Sequence, residues 1–286
     1  MYIADQWTDY EALDAGGGEK LERWKDVRLV RPDPQAFWPR QADEKLWSTR
    51  DAVYKREKTG GGAWTHIRPL PEHWTVSYKD LSFIVRPTGF KHTGLFPEQA
   101  ANWDWMSSLI KGWGRPVRAL NLFGYTGGAT CALAFAGAHV THVDAAKGMV
   151  KWAQENRDIN HIDPSATRFI VDDALKFVGR ESRRGNRYDG VLMDPPSFGR
   201  GPNGEVWKLE HELYGLIESA MGVLNENPLF FLINSYTTGL QPAVLLNLLS
   251  YTMKNRFGGH AEANEVALPI SSGGVLPCGA SGRWRA

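Results

Sequence analysis

The sequence predicts an α/β fold, with a mostly parallel sheet preceded by a small β-rich domain. From residue 117 onward, short apolar segments typical of buried strands alternate with segments of helical character. Several of these strands are followed directly by acidic residues and by glycine or proline turns, at the edge where an open parallel sheet binds ligands. Residues 1–88 differ, because they are rich in Trp, Pro and Gly and show little helical periodicity. We therefore predict one domain at 1–88 and a second at 89–286.

Residues 1–88 are expected to form the small β-rich domain. Many of the chain's twelve Trp residues fall here. Such side chains either fill a small core or stack on nucleic-acid bases, and the core interpretation is the more common one. The glycine run at 60–62 predicts a turn. The strand-like segments are 19–24, 27–30, 53–55 and 74–85.

A nucleotide-binding element is predicted near the start of the second domain. Residues 120–136 read as a buried strand, a glycine turn and a small-residue helix, and the next strand, 139–143, ends at Asp144. Asp144 follows Gly124 by twenty residues, the spacing at which Rossmann-type sheets bind a nucleotide ribose. The turn alone is equally typical of an ordinary strand-to-helix connection.

The residues of that turn limit which class of cofactor it could bind. It reads G-Y-T-G-G-A, with Thr126 at the place of the second glycine in the dinucleotide fingerprint G-x-G-x-x-G. That glycine lets the backbone approach a pyrophosphate closely. Its absence argues against NAD or FAD and favours an adenosine-containing cofactor without a diphosphate.

Two later strands also end at acids. The strand at 168–171 precedes Asp172 and Asp173, one of which is expected to cap the helix that follows. The strand at 191–193 precedes Asp194 and two prolines, which cannot continue a strand ladder. Because the carboxyl ends of parallel strands share one edge of a sheet, these acids are expected to line the same crevice.

The remaining elements follow from apolar periodicity and turn residues. Two apolar segments, 265–270 and 275–278, flank S-S-G-G and predict a terminal antiparallel hairpin. The sheet is therefore expected to be Rossmann-like, mostly parallel, with an antiparallel C-terminal edge. We predict helices at 102–111, 147–156, 208–224 and 242–257, and further strands at 117–122 and 229–234.

Four motifs in this order resemble class I S-adenosylmethionine-dependent methyltransferases: the turn at Gly124, the ribose acid Asp144, D-A at 173–174 and D-P-P-S-F at 194–198. More narrowly, they resemble the branch that methylates large-subunit ribosomal RNA. Residues 90–99, F-K-H-T-G-L-F-P-E-Q, are similar to that branch's K-T-G-x-F-x-x-Q signature, with one histidine inserted. The resemblance implies that residues 89–286 form a methyltransferase domain with a Rossmann-like sheet, and that its cofactor is S-adenosyl-L-methionine.

The resemblance also implies the cofactor site. Asp144 is expected to bind the ribose hydroxyls and Asp173 the adenine amine, with Asp172 as the alternative. Tyr125 either faces the sulfonium through its ring or packs within the turn, while Gln99 helps to hold the methionine end. The full set of expected cofactor residues is Gln99, Phe123, Gly124, Tyr125, Thr126, Gly127, Asp144, Asp173, Ala174 and Asp194.

The motif D-P-P-S-F resembles the D/N-P-P-Y/F turn of amino-methyltransferases that act on adenine or guanine. By that resemblance, the catalytic residues are Asp194, Pro195 and Phe198. The Asp194 carboxylate and the Pro195 carbonyl would accept hydrogen bonds from an exocyclic amine, and Phe198 would stack on a flipped base. A rigid turn that ends the strand is the alternative, and it explains the prolines but not the acid.

Cysteine chemistry is not expected. Some relatives of this branch make 5-methylcytosine through a cysteine nucleophile, but the fifth strand here ends N-S-Y-T at 234–237. The chain has two cysteines, Cys131 in an apolar helix and Cys278 in the last strand, and both are expected to be structural. Neither a disulfide framework nor a metal site is predicted.

Composition and charge set further limits. With 33 basic and 32 acidic side chains in 286 residues, the net charge is +1, far below that of a protein that coats nucleic acid. Basic clusters at 55–58, 180–187 and 283–285 either contact RNA or form solvated surface. The N-terminus shows no signal-peptide pattern, and no apolar run approaches the ~20 residues that span a bilayer. A cytoplasmic location without membrane contact is therefore expected.

Three functions agree with these observations. The leading one is methylation of a base in ribosomal RNA, with an exocyclic amine as the favoured acceptor. A methyltransferase acting on a protein or a small molecule is the first alternative, which the nearly neutral charge allows. A non-catalytic cofactor-binding module is the second alternative. The oligomeric state does not follow from the sequence.

Overall fold

The computed structural model describes residues 1–57, 61–200 and 206–286. Part of the predicted glycine turn, Gly60, and one residue of a basic cluster, Lys58, lie outside the described residues. By compactness, the chain divides into two units. The first, which we call the sheet unit, comprises Met1–Tyr2, Asn102–Val266 and Gly279–Ala286. The second, which we call the β unit, comprises Ile3–Ala101 and Ala267–Cys278.

The compact units do not divide at the sequence-based boundary between residues 88 and 89, which stays a prediction about domains. Residues 89–101 group with the β unit, where the Thr93 carbonyl accepts a hydrogen bond from the Arg86 amide at 3.0 Å. The segment Ala267–Cys278 groups with it as well, since the Ser271 amide donates to the Ala12 carbonyl at 2.9 Å.

The first part of the chain is β-rich, as predicted. Five strands form one sheet in the order β2-β3-β4-β5-β6, and β7 pairs with β8 in a separate two-stranded sheet. The elements in chain order are β1 (Tyr2–Ile3), β2 (Tyr10–Gly16), β3 (Glu19–Trp24), β4 (Val27–Pro32), α1 (Glu44–Trp47), β5 (Ala52–Arg56), β6 (Gly62–His66), β7 (Trp74–Tyr78), β8 (Leu81–Val85) and a 3-10 helix, Pro97–Gln99.

Two tryptophans lie in the core of the β unit. Trp24 and Trp47 are 0% and 1% exposed, and Trp47 packs against Leu21 and Val30. Its indole nitrogen donates to Asp14 Oδ2 at 2.7 Å, so its polar atom is satisfied although it is buried. For these two residues the core interpretation is confirmed.

The later part of the chain forms an eight-stranded sheet flanked by helices. The strand order is β1-β16-β17-β15-β12-β9-β10-β11. The elements are α2 (Ala100–Gly112), β9 (Val117–Leu122), α3 (Gly128–Phe135), β10 (Ala138–Asp144), α4 (Lys147–Ile159), a 3-10 helix (Pro164–Ala166), β11 (Thr167–Val171), α5 (Ala174–Arg183), β12 (Gly190–Met193), β13 (Phe198–Arg200), β14 (Val206–Lys208), α6 (Leu209–Met221), β15 (Phe230–Ser235), α7 (Pro242–Leu249), a π-helical turn (Ser250–Lys254), α8 (Asn255–Phe257), β16 (His260–Pro269) and β17 (Val275–Arg285).

The predicted fold class is confirmed. The pairs β9–β10, β10–β11, β9–β12 and β12–β15 are all parallel, while β15 and β17 are antiparallel. The central strands are mostly apolar because helices cover both faces of a parallel sheet, and Asn121 in β9 and His142 in β10 are buried polar exceptions. Leu120, Val191 and Phe231 are each 0% exposed within one core, and full burial of such a side chain contributes roughly 1.5–3 kcal/mol.

Some features of the later part of the chain were not expected from the sequence. The segment predicted as one helix at 242–257 contains the π-helical turn Ser250–Lys254. The strands β13 and β14 pair as an antiparallel hairpin just before α6. Among the described residues, no helix is both long and apolar enough to cross a bilayer.

Candidate active site

The order of the parallel strands changes direction at β9. From β9 the chain continues to β10 on one side of it, whereas β12 lies on its other side and is followed by β15. Loops that leave a parallel sheet in opposite directions at such a point open a ligand crevice at the carboxyl ends of the strands. The loops after β9 and β12 begin side by side here, since the Asp194 amide donates to the Leu122 carbonyl at 3.4 Å.

The glycine turn after β9 is tightly constrained. Phe123 and Tyr125 both have positive φ angles, 59° and 51°, which non-glycine residues adopt only rarely. A Cβ atom at Gly124 would lie 2.4 Å from the ring of His142, and one at Gly127, where φ is 83°, would lie 2.8 Å from the Cβ of Ala153. Packing therefore requires glycine at both positions, and at Gly127 the positive φ angle requires it as well.

A cluster of buried polar side chains packs against the turn. The Thr130 hydroxyl accepts a hydrogen bond from the Asn121 amide at 2.9 Å and lies 2.9 Å from His142 Nδ1. Burial lowers the pKa of His142 to about 3, so the imidazole is neutral at physiological pH. This cluster was not predicted from the sequence. A signal for it was present, because each of three segments predicted to be buried contains one of these polar residues.

Asp144 is fixed by two backbone amides. Its Oδ1 accepts from the Ala146 amide at 2.8 Å, and its Oδ2 accepts from the Tyr125 amide at 2.9 Å. Burial raises the pKa of this carboxyl, although both amide bonds oppose that shift. Each carboxylate oxygen can accept a second hydrogen bond. The site residues present therefore fit a ribose, whose hydroxyls would donate to the same two oxygens.

The acids after β11 have roles that differ in part from the expectation. One of the two acids was expected to cap the next helix, and that residue is Asp173, the N-cap of α5, whose Oδ1 accepts from the Lys176 amide at 2.9 Å. Asp172 instead forms an ion pair with Arg180 and accepts from the Asp173 amide. The side chain that caps the helix is exposed, so it can also reach a ligand. Ala174 follows it and is buried.

The loop after β12 is held by neighbours on both sides. Asp194 Oδ1 accepts from Asn234 Nδ2 at 3.0 Å. The Pro196 carbonyl accepts from the indole nitrogen of Trp207 at 2.6 Å, and the Trp207 ring lies 6.2 Å from that of Phe123. Trp207 thereby connects the loop after β12 to the glycine turn.

The aromatic residue of the D-P-P-S-F motif begins the hairpin. Phe198 is the first residue of β13 and pairs with Lys208 in β14. Its side chain is 53% exposed, which leaves it available for stacking. The sequence carried a signal for this hairpin, because the turn-forming residues G-P-N-G separate the two strands.

Gln99 lies in the β unit, at the end of the 3-10 helix Pro97–Gln99, and is partly buried. The segment before it is anchored by Arg31, which donates to the Lys91 carbonyl at 2.9 Å. The same guanidinium forms two hydrogen bonds to Glu22, at 2.6 and 2.8 Å, and Glu22 is fully buried. This anchor was not predicted, because nothing in the local sequence connects β3 and β4 to residue 91.

Neither cysteine has the character of a nucleophile. Burial raises the pKa of Cys131 to about 12. The pKa of Cys278 is also raised, first by burial and then by the nearby Glu98. Both thiols are therefore protonated at neutral pH, and a protonated thiol is a poor nucleophile.

Some residues of the predicted basic clusters are not surface charges. Arg283 is only 6% exposed and donates to Asn102 Oδ1, so its assignment to a solvated or RNA-contacting tail was wrong. Arg180 and Arg184 are used in pairs with Asp172 and Glu181. These contacts reduce the positive charge available at that helix end.

Comparison with known proteins gives consistent matches. Residues 49–212 match the model of the S-adenosylmethionine-dependent methyltransferase family. A crystal structure of a SAM-dependent methyltransferase from Agrobacterium tumefaciens is 36% identical, with a TM-score of 0.92, and covers 99% of this chain and 93% of its own.

Two curated relatives carry the name of a ribosomal RNA large subunit methyltransferase. The K/L protein of Legionella pneumophila is 28% identical over 66% of this chain, and the K protein of Neisseria meningitidis is 26% identical over 83% of it. The matched regions are 26% and 64% of those two relatives, so this chain spans only part of their length.

The Asp144 geometry predicts a specific loss of cofactor affinity. Asp144→Ala should weaken binding of S-adenosylmethionine by about 1–3 kcal/mol, because ribose hydroxyls would then be buried without an acceptor. Calorimetry measures this change. Asp163→Ala is the control, since Asp163 is an exposed N-cap of the 3-10 helix Pro164–Ala166. Wild-type affinity in Asp144→Ala would contradict the assignment.

His142 predicts part of the acid sensitivity of the fold. Its folded-state pKa is about 3, against about 6.5 in an unfolded chain. The unfolded state therefore binds more protons between these values, and stability falls as pH drops from about 6.5 toward 3. The free energy of unfolding of His142→Gln, measured in urea at several pH values, should fall less steeply over that window. His260→Gln, at an exposed histidine, should keep the wild-type slope, and an equally steep fall in His142→Gln would refute the explanation.

Proposed function

We propose that this chain, which belongs to the S-adenosylmethionine-dependent methyltransferase family, methylates an exocyclic amine of a base in ribosomal RNA. The family model matches residues 49–212, more than half of the chain, and S-adenosylmethionine is accordingly its methyl donor. The acceptor is the proposed part. The observation that supports it best is the position of Asp194, a carboxylate at the carboxyl end of β12 whose backbone lies against the last residue of β9.

Residues that follow different strands would bind different parts of the cofactor. Asp144 would hold the ribose, and the backbone at Gly124 and Gly127 would lie against the methionine portion. For the adenine amine, Asp173 remains the preferred acceptor over Asp172. In Asp172, one carboxylate oxygen accepts from the Asp173 amide and the other pairs with Arg180. In Asp173, the hydrogen bond from the Lys176 amide involves only Oδ1.

Bound S-adenosylmethionine would supply an electrophilic methyl group, which an amine lone pair would attack in line while the sulfur–methyl bond breaks and S-adenosylhomocysteine leaves. The protein's part is to orient that amine. The Asp194 carboxylate and the Pro195 carbonyl would accept its two N–H groups, which directs the lone pair toward the methyl carbon and raises electron density on the nitrogen. Asp194 would also accept the proton that the amine gives up, and would pass it to solvent. Phe198 would stack on the extruded base.

The choice of ribosomal RNA is supported by the names of the curated relatives. The motif after β12 supports a base amine as acceptor, because a carboxylate and a proline carbonyl present only acceptors. The high pKa of both thiols is unfavourable for a covalent cysteine route to carbon-5 of cytosine. RNA contact would be local, given a net charge of +1.

Transfer of labelled methyl groups tests the acceptor class. Purified protein with S-adenosylmethionine tritiated on its methyl group should label ribosomal RNA taken from a strain that lacks this chain. Protein and small-molecule fractions should stay unlabelled. Mass spectrometry of the nucleosides should find a base methylated on an exocyclic nitrogen. Label in protein alone, or 5-methylcytosine as the product, would contradict the proposal.

Asp194 should matter for transfer more than for cofactor affinity, since its contact would be made with the acceptor. Asp194→Ala should bind cofactor within a few-fold of wild type but methylate RNA at least ~100-fold more slowly. Cys131→Ser and Cys278→Ser serve as controls and should largely keep the wild-type rate. Loss of methylation in Cys278→Ser, with folding and cofactor binding intact, would require a covalent route instead.

A further inference from the structure

A chain of buried hydrogen bonds leads from Arg283 to the carboxylate after β12. Arg283 Nε and Nη2 donate to Asn102 Oδ1 at 3.0 and 2.8 Å. Asn102 Nδ2 donates to Ser281 Oγ at 2.8 Å, and Ser281 Oγ donates to Asn234 Oδ1 at 2.7 Å. Asn234 Nδ2 then donates to Asp194 Oδ1 at 3.0 Å. All five residues belong to the sheet unit.

The intermediate residues are shielded from water. Asn102 and Asn234 are each 1% exposed, and Ser281 is 0% exposed. A buried amide that loses its partner has no solvent to replace it, and an unsatisfied group of this kind is costly. Each residue of this hydrogen-bonded series is therefore held by the next one. A change at one position must alter its neighbour in the series.

Arg283 fixes the direction of every bond. A guanidinium has only donors, so the oxygen of the Asn102 amide must face it and the nitrogen must face Ser281. The serine hydroxyl then accepts from Asn102 and donates to Asn234, whose nitrogen faces Asp194. A carboxylate accepts hydrogen bonds only. Arg283 at one end of the series and Asp194 at the other therefore require the same direction of donation, from Arg283 toward Asp194.

Arg283 is itself held rigidly and stays charged. Its guanidinium carbon lies 3.5 Å from the ring centroid of Tyr2 and 5.2 Å from that of Trp105. Burial lowers the pKa of Arg283 to about 10, which leaves it protonated at neutral pH. The charge that sets the polarity therefore persists over the working pH range of most enzymes.

We propose that Arg283, Asn102 and Ser281 are positioning residues for methyl transfer, and that they act by fixing the Asn234 amide so that it orients the Asp194 carboxylate toward the acceptor. None of the three contacts the acceptor directly. The inference rests on the proposed function, because it assigns the orientation of Asp194 a role in transfer. A network that only stabilises the fold is the competing explanation.

One isosteric change separates these explanations. Asn102→Asp keeps the shape of the side chain and gives Arg283 a carboxylate partner, so the new ion pair should offset much of the cost of the hydrogen bond lost at Asn234, and the variant should fold. The new carboxylate has no donor for Ser281. It draws the serine proton toward itself and away from Asn234 Oδ1, which releases the Asn234 amide.

The positioning role predicts a loss of turnover in protein that is still fully folded at the assay temperature. Asn102→Asp should bind S-adenosylmethionine with wild-type affinity but methylate ribosomal RNA about tenfold more slowly, since small displacements of a catalytic group are costly. Asn234→Ala should lose roughly 10- to 100-fold. The double variant should be no slower than Asn234→Ala alone, because the connection is already cut. Ser281→Ala provides an independent break if Asn102→Asp fails to fold.

The matched control lies at the opposite end of β12. Asn225 Nδ2 donates to Asp189 Oδ1 at 2.7 Å, the same kind of bond as the one from Asn234, but Asp189 precedes the strand. Asn225→Ala should lower the melting temperature and leave turnover unchanged well below it. Wild-type turnover in stable Asn102→Asp and Ser281→Ala, or equal losses in Asn225→Ala, would overturn the positioning role.

A spectroscopic measurement keeps this inference separate from the proposed function. In nitrogen-15 NMR spectra, the side-chain amide of Asn234 should exchange its protons slowly in the wild type and about tenfold faster in Asn102→Asp. If Asp194→Ala methylates normally, or if RNA is not the acceptor, the proposed function has failed, and the exchange rate still decides whether Asn102 controls Asn234. Unchanged exchange in Asn102→Asp would refute the coupling.

Discussion

The candidate active site depends on β9 being paired in parallel on both sides. Its partners, β10 and β12, run in the same direction, so the residues that follow all three strands emerge at one edge of the sheet. The hydrogen bond from the Asp194 amide to the Leu122 carbonyl extends the ladder by one step beyond β12. A register shift of one residue would turn Asp144 and Asp194 toward the opposite face, and the crevice would lose both carboxylates.

Packing around the glycine turn converts this topology into a shaped site. Gly124 is required because the His142 ring occupies the space of a side chain, and that ring is neutral because burial disfavours its charged form. Asp144 then holds the Tyr125 amide in a conformation with positive φ. The same carboxylate thus stabilises the turn and would bind the ribose, which couples cofactor binding to the shape of the loop.

Much of this could be predicted from the sequence, because strand-ending acids and glycine turns are local patterns. The strand after Gly137, the helix start at Ala174 and the break at Pro195 follow from neighbouring residues alone. The contacts that could not be predicted are those between residues distant in sequence. Asn102 and Ser281 are 179 positions apart, and no local pattern reveals that they meet. Arg283 looked like a charged tail for the same reason, although the fold buries it.

A crystal structure of the full chain with S-adenosylhomocysteine would test the central claim most directly. The account predicts that the two ribose hydroxyls lie within about 3.2 Å of the Asp144 carboxylate oxygens and that the sulfur faces the loop of Asp194 and Pro195. It also predicts that Asn234 still contacts Asp194 when the cofactor product is bound. A ribose held by another acid, or a sulfur directed away from Asp194, would contradict it.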